Sequence, residues 1–189
     1  MIIAIKDKDR VVLGYSNSDF WSKLSEKDYV DAENVAIRFS DTGKTFAVAD
    51  MERRSDILLY DDELLRMDIT AKTMVRDVIP YIKKRLKENG LPIDEDGSWK
   101  NAMVICDNEH VYDINPKLYF CEAEDYVCHG FKVETLKSVL DDTTNLPAEE
   151  RIIEAVRFTS KFHKESLFPL IITDTKTKRF KYIYEGESR

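Results

Sequence analysis

Two apolar runs separated by a short polar stretch open the chain. The first run is Ile2-Ile3-Ala4-Ile5, the second is Val11-Val12-Leu13-Gly14-Tyr15, and the residues at 6–10 between them are charged. Runs of this length, rich in β-branched residues and joined by polar residues, predict a β-hairpin. Two further strands are predicted at 35–39 and 45–49, where apolar residues flank a turn-like sequence around Gly43.

Apolar residues spaced three and four apart predict helices in the middle of the chain and toward its end. The clearest segment lies between Thr70, a suitable N-cap, and Gly90, a suitable helix end, and Pro80 is expected to kink or break it. Two more helices are predicted at 131–140 and 147–163. The inner face of the last helix is predicted to carry Ile152, Ala155, Val156, Thr159 and Phe162.

Between and after these helices the pattern returns to strands. Residues 102–106 are apolar throughout, as expected of a strand covered on both faces. Residues 51–67 fit either a helix or a strand. The order of strands, helices, strands, helices and strands predicts two sheets with helices outside both, in a single domain over residues 1–189. The other predicted strands are 110–114, 118–120, 126–128, 170–173 and 180–184.

Composition limits the class of protein and its partners. With 189 residues, 43% apolar and 34% charged, the chain is typical of a soluble globular protein. Its net charge of −7 disfavours a nucleic-acid partner, because phosphate binding needs Lys and Arg gathered on one face. No apolar run approaches the ~20 residues that cross a bilayer, and the start lacks the basic region of a signal peptide. We therefore expect no membrane association and a cytoplasmic location.

Three short sequence segments, taken in their order along the chain, give information about the family. Residues 3–14 read IAIKDKDRVVLG, residues 106–114 read CDNEHVYDI and are followed by YVCHG at 126–130, and residues 146–155 read LPAEERIIEA. The chain thereby resembles the proteasome β-subunit type of Ntn (N-terminal nucleophile) hydrolase, which includes the bacterial two-component heat-shock peptidase. The resemblance implies an α+β fold, a four-layer αββα sandwich of two antiparallel sheets flanked by helices. It also implies a homo-oligomer, with a protein or peptide as a possible partner.

The catalytic chemistry of that family does not carry over. Its nucleophile is the side chain of the first residue, and the free α-amine of the same residue accepts the proton, so Thr, Ser or Cys is required. Here that place holds Met1 and Ile2. The family's carboxylate falls at about Tyr15, with Ser16 beside it, and its Lys falls near Asn34. A degenerate site is therefore expected around these five residues, in a protein with a structural, assembly or binding role.

Two other functions remain open at this point. The protein could be an active peptidase or amidase with a nucleophile elsewhere, such as Ser16 or Ser98. Cleavage at Gly97-Ser98 would expose Ser98, although Asp96-Gly97 is typical of a surface turn. The third hypothesis is a small-molecule binding module in a cleft beside Met1, Tyr15 and Asn34.

Other reactive side chains are interpreted as structural. Cys106, Cys121, Cys128 and His129 do not have the spacing of a structural zinc site, so the cysteines are expected to be buried as small apolar residues. No metal and no cofactor are predicted. The acidic residues Glu122, Glu124 and Asp125, and those at 61–63, are expected to be solvated.

Overall fold

The structure is a computed structural model that describes residues 1–16, 36–49, 56–91, 99 and 101–186. Within these ranges, the strands form two antiparallel five-stranded sheets. The strands are β1 (Ile2–Asp7), β2 (Arg10–Tyr15), β3 (Ile37–Phe39), β4 (Thr45–Ala49), β5 (Ala102–Cys106), β6 (Val111–Ile114), β7 (Phe120–Glu122), β8 (Tyr126–His129), β9 (Leu170–Asp174) and β10 (Lys181–Ile183).

The helices of the described residues fall into two groups, one before β5 and one after β8. The first group ends in a π-helical segment and a longer α-helix, and the second is a helical hairpin. The helices are α1 (Asp56–Leu59), α2 (Asp62–Arg66), α3 (Ala71–Thr73), the π-helical segment (Met74–Val78), α4 (Ile79–Glu88), α5 (Val133–Asp142) and α6 (Ala148–His163).

The opening hairpin lies inside one of the two sheets. The first sheet has the order β10-β9-β2-β1-β8 and the second has the order β3-β4-β5-β6-β7. Pairing of β1 with β2 runs from Ile2↔Tyr15 to Asp7↔Arg10. This leaves a two-residue turn in which Lys8 has a φ of 55°. The hairpin is therefore present as predicted, but its turn is shorter than the charged stretch of the sequence.

Alternation along β1 separates two apolar cores. Ile2 and Ala4 belong to the core that lies between the sheets and extends under α1, α2, the π-helical segment and α4. Ile3 and Ile5 belong to the core beneath α5 and α6. Because successive strand residues point to opposite faces, β1 has helices on one side and the second sheet on the other. This is the predicted αββα arrangement, and the predicted α+β fold class is confirmed.

Close packing of α6 on the first sheet depends on one glycine. A Cβ atom at Gly14 would lie 2.5 Å from the Cγ2 atom of Ile152. A larger residue at position 14 would therefore require the Ile152 side chain or α6 to shift away from the sheet.

The segment before β5 is helical where the structure describes it. Residues 56–66 form α1 and α2, so the helix is the correct alternative for that part of 51–67. Thr70 caps α3 through a hydrogen bond from the Thr73 amide to the Thr70 hydroxyl of 3.2 Å. Pro80 interrupts the helix as expected, because it lacks an N–H and its ring crowds the preceding turn. The interruption takes the form of the π-helical segment just before α4.

Several predicted element boundaries differ from the structure by one or two residues. The strand expected at 118–120 is instead β7, which begins at Phe120. Leu118 has a φ of 59° and donates its amide to the Asn115 carbonyl, so it completes a turn and cannot extend the strand. The helix expected from residue 131 begins at Val133.

Phe162 is also misplaced by the prediction. Ile152, Ala155, Val156 and Thr159 are buried, but Phe162 is 66% exposed. The buried positions at the end of α6 are Thr159 and Ser160, which places Phe162 on the flank of the helix.

None of the helices in the described ranges is long and apolar enough to span a bilayer.

Candidate functional site

The backbone around the start of β1 is closed by hydrogen bonds. The nitrogen of Met1 lies 2.7 Å from the carbonyl oxygen of Ser16. In return, the Ser16 amide donates to the Met1 carbonyl over 3.1 Å. Ile2 is fully buried and Tyr15 is 2% exposed, and both belong to the core between the sheets. The predicted residues Met1, Ile2, Tyr15 and Ser16 therefore lie together, whereas Asn34 lies outside the described residues.

Gly130 packs directly against Met1. Gly130 has a φ of +110°, a conformation that L side chains rarely adopt. A Cβ atom added there would lie 2.7 Å from the Met1 Cα atom. Backbone approaches backbone at this point, so the start of β1 is held on two sides, by β2 and by the end of β8.

The hydroxyl of Ser16 points away from the core that Ile2 and Tyr15 enter. It donates to the Leu167 carbonyl over 2.5 Å, and Leu167 belongs to the core beneath α5 and α6. The side chain of Ser16 is buried. The partner of the Ser16 hydroxyl in the described residues is a backbone carbonyl, which is not a general base, so this contact is structural.

A histidine–carboxylate pair near Ile2 is not predicted from the sequence. His129 is the ladder partner of Ile2, and its Nε2 atom lies 2.6 Å from an Asp113 carboxylate oxygen. Their side chains are 19% and 21% exposed. The pair joins β8 of the first sheet to β6 of the second sheet. Because the partners come from different sheets, only a correct sheet topology would reveal them.

The three cysteines differ in their burial. Burial raises the pKa of Cys128 to about 12, and burial likewise raises the pKa of Cys106. Both thiols are therefore protonated at neutral pH and act as apolar residues, as expected. The prediction is wrong for Cys121, which is exposed. Nowhere in the described ranges do three His, Cys, Asp or Glu side chains converge on a possible metal position.

Two acidic residues that were expected to be solvated have structural partners. Asp125 accepts hydrogen bonds of 2.9 and 2.8 Å from the guanidinium of Arg151, a buried residue of α6. The hydrogen bond from Arg151 lowers the pKa of Asp125. Asp61 is 5% exposed and accepts from the Leu64 amide. These contacts attach β8 to α6 and cap α2.

Three solved structures are similar to this chain over most of its length. BPH from Thiobacillus denitrificans matches with a TM-score of 0.70 and 17% identity, over 92% of this chain and 96% of that chain. Anbu, an ancestral β-subunit from Yersinia bercovieri, matches with a TM-score of 0.63 and 13% identity, over 98% and 88%. Eukaryotic HslV from Trypanosoma brucei matches with a TM-score of 0.61 and 12% identity, over 92% and 97%.

The chain has the proteasome-like Ntn fold. No protein-family model matches the sequence, and no curated protein matches it significantly. The likeness is therefore one of structure, and it confirms the resemblance that the three sequence patterns indicate. The start of the first strand is the buried corner that Met1, Ser16 and Gly130 form.

Proposed function

We propose that the chain is a proteasome-like Ntn-fold protein that lacks the Thr, Ser or Cys nucleophile and is not catalytic. Its role in this proposal is structural, in assembly or in binding, as a cytoplasmic homo-oligomer built from one domain over residues 1–189. The observation that carries the proposal is the composition of the first strand. Met1 and the residues of β1 read MIIAIKD, without a hydroxyl or thiol side chain.

This argument does not depend on which of these residues comes first. An Ntn mechanism needs one residue that supplies both an attacking atom and an adjacent free amine. Neither Met nor any residue of β1 supplies the attacking atom, so removal of Met1 would not create a site. The burial of Ile2 and the hydrogen bonds between Met1 and Ser16 further support a packed corner at this position.

The surroundings of Ser16 argue against the rival hypothesis of a displaced nucleophile. Attack by a serine requires a general base within hydrogen-bond reach. The Ser16 hydroxyl instead donates to the Leu167 carbonyl, and His129 is engaged with Asp113. Ser98 lies outside the described residues. An intact mass that shows one uncut chain would count against a nucleophile exposed at Ser98.

Epoxomicin offers a direct probe of the proposal, because a solved BPH structure holds it. The full-length protein is incubated with epoxomicin and followed by intact mass and by thermal unfolding. We expect neither an added mass nor a shift in the melting temperature. A saturable adduct or shift that disappears in Ser16→Ala would overturn the proposal in favour of an active peptidase. Thr159→Ala, which removes a buried hydroxyl in α6, is the control for nonspecific destabilisation.

A further inference from the structure

The C-terminal end of α4 is closed by a complete capping motif. Gly90 follows the C-cap residue Asn89 with a φ of +67°, a left-handed conformation that glycine adopts readily. The Gly90 amide donates to the Lys87 carbonyl over 3.1 Å, and the Leu91 amide donates to the Leu86 carbonyl over 3.0 Å. Leu86 lies in the core between the sheets, and Leu91 packs against that core. These contacts form a Schellman motif, which combines the two hydrogen bonds with an apolar contact.

The same motif contains the one Asn-Gly pair of the sequence. Asparagine before glycine loses ammonia readily, because a glycine without a side chain leaves its amide nitrogen open to ring closure. The Gly90 amide gives up its proton, its nitrogen forms a bond to the Cγ atom of Asn89, and the Cγ–Nδ2 bond breaks as ammonia leaves. Water then opens the cyclic imide at either carbonyl, which leaves an aspartate or isoaspartate carboxylate at position 89. The reaction consumes one water molecule, releases one ammonia molecule and needs no enzyme.

Both reacting groups of this pair are engaged in the folded protein. The Nδ2 atom of Asn89, which is the leaving group, donates to the Arg85 carbonyl over 2.8 Å. The Gly90 nitrogen, which is the nucleophile, donates to the Lys87 carbonyl. The ψ of Asn89 is 11°, and ring closure needs a rotation about this angle to bring the Gly90 nitrogen onto Cγ. Because that rotation breaks the bonds of Gly90 and Leu91 to the helix, the end of α4 has to open before the reaction.

The product of the reaction weakens the cap. A carboxylate at position 89 cannot donate to the Arg85 carbonyl, and it places a negative charge beside the carbonyl groups that form the negative end of the helix dipole. Isoaspartate also adds a methylene group to the backbone, which displaces Gly90 and Leu91 from their partners. Opening of the helix end is reversible, whereas the loss of ammonia is not.

We propose that Asn89 is a deamidation site that is gated by its own helix cap. The site is closed while the Schellman motif is formed, and it reacts when the end of α4 opens. Each opening event can therefore leave a permanent mark that favours the open form of this helix end. The proposal concerns α4 alone and does not depend on whether the protein is catalytic.

Peptide mapping of the full-length protein tests the gate. Deamidation is followed by mass spectrometry at mildly alkaline pH, with folded protein and urea-unfolded protein side by side. In the unfolded protein Asn89 should be the first asparagine to react. In the folded protein it should react at least about tenfold more slowly, because the cap is closed most of the time. Equal rates in the two states would overturn the proposal.

Loosening the cap should open the gate. Leu91→Ser removes the apolar contact and keeps the Asn-Gly pair, so the folded variant should deamidate about fivefold faster than wild type. Lys87→Ala is the matched control, since Lys87 gives its carbonyl to the cap while its side chain is exposed, and it should stay within about twofold of wild type. Equal acceleration by the two variants would overturn the role of the motif.

The rate of each variant in urea corrects for any change in intrinsic reactivity. Circular dichroism confirms that each variant is folded. Leu91→Val, a smaller truncation, takes the place of Leu91→Ser if the latter does not fold, and it should accelerate the reaction in the same direction.

The aspartate product can be tested by substitution. Asn89→Asp should lower the melting temperature by about 2 °C, because it replaces a donor with a negative charge at the end of the helix. Asn108→Asp makes the same change of charge at an exposed position between β5 and β6, and it should leave the melting temperature unchanged. Equal shifts for the two variants would overturn the claim that the product weakens the cap.

Discussion

The start of β1 and the surroundings of Asp61 are two buried regions with opposite character. Around Met1 the groups are mainly apolar or backbone, and they close the start of the first strand. Around Asp61 several titratable groups meet: Tyr81 donates to it over 2.8 Å and Arg85 over 2.5 Å. Yet the Asp61 cluster joins α2 to α4 and is saturated with internal partners. A dense group of polar side chains therefore serves structure at Asp61, whereas the candidate site is chosen by its position in the fold.

The largest effect that we predict is at the start of β1. Gly130→Ala should lower the free energy of unfolding by about 3 kcal/mol, because it adds a strained positive φ to a clash with the Met1 backbone. Urea denaturation measures this change. Gly43→Ala is the control: Gly43 has a φ of +83° but nothing within 4 Å of its added Cβ atom, so only the conformational cost of about 1 kcal/mol applies. Equal effects of the two substitutions would show that the close packing is absent.

The next effect is in the Asp61 cluster. Asp61→Ala removes a helix cap and the shorter of the two carboxylate contacts of the Arg85 guanidinium, which keeps only Glu88, so the free energy of unfolding should fall by about 2 kcal/mol. Asp62→Ala changes the neighbouring exposed acid and should have an effect near zero. The pair of variants therefore separates a buried structural carboxylate from an exposed one. A loss for Asp62→Ala as large as that for Asp61→Ala would contradict this assignment.

Low pH should reduce the stabilisation that the contacts of Asp61 provide. Burial alone would raise the pKa of Asp61, but hydrogen bonds from the Leu64 amide, Tyr81 and Arg85 outweigh it and leave the pKa below its usual value. The stabilisation is therefore complete above about pH 4, the unfolded value, and is lost as pH falls through the lower folded value. The stability gap between wild type and Asp61→Ala should narrow below pH 4 in urea titrations. A constant gap down to pH 2 would contradict the prediction.

The smallest effect concerns the pair that joins the two sheets near Ile2. His129→Ala removes the hydrogen bond to Asp113 and should cost about 1 kcal/mol, because both side chains are partly exposed to water. His110→Ala is the control, since His110 bonds Asp107 within one turn, and it should cost less. If His129→Ala has no effect on stability, the pair does not hold the sheets together.

Some features of the fold can be predicted from the sequence because they are local. The opening hairpin follows from two apolar runs and a polar turn, and the interruption at Pro80 follows from the missing N–H. The start of β7 cannot be predicted in this way, since Leu118 turns the chain through a left-handed conformation that its residue type does not suggest. The helical spacing predicts Phe162 on the inner face of α6. Spacing defines a face of the helix, but it does not show where along the helix burial ends.

The candidate site likewise has features that can be predicted from the sequence and features that cannot. Met1 and Ile2 are identified by residue type, because a nucleophile has a definite chemical requirement. The pair of Asp113 and His129 joins residues 16 positions apart on different sheets. Asp61 resembles its exposed neighbour Asp62 in the sequence, and only the packing of α4 against α2 distinguishes them. The reactions that a single side chain can support can be predicted from its residue type. Contacts between secondary-structure elements can be predicted only when the sheet topology is known.

Hydrolysis of fluorogenic peptides by the full-length protein tests the central claim most directly. Wild type and Ser16→Ala are assayed side by side at neutral pH, and intact mass records whether the start of the chain is processed. The account predicts no turnover above the blank for either protein. Turnover by the wild type that is lost in Ser16→Ala, or that accompanies removal of Met1 and Ile2, would contradict it.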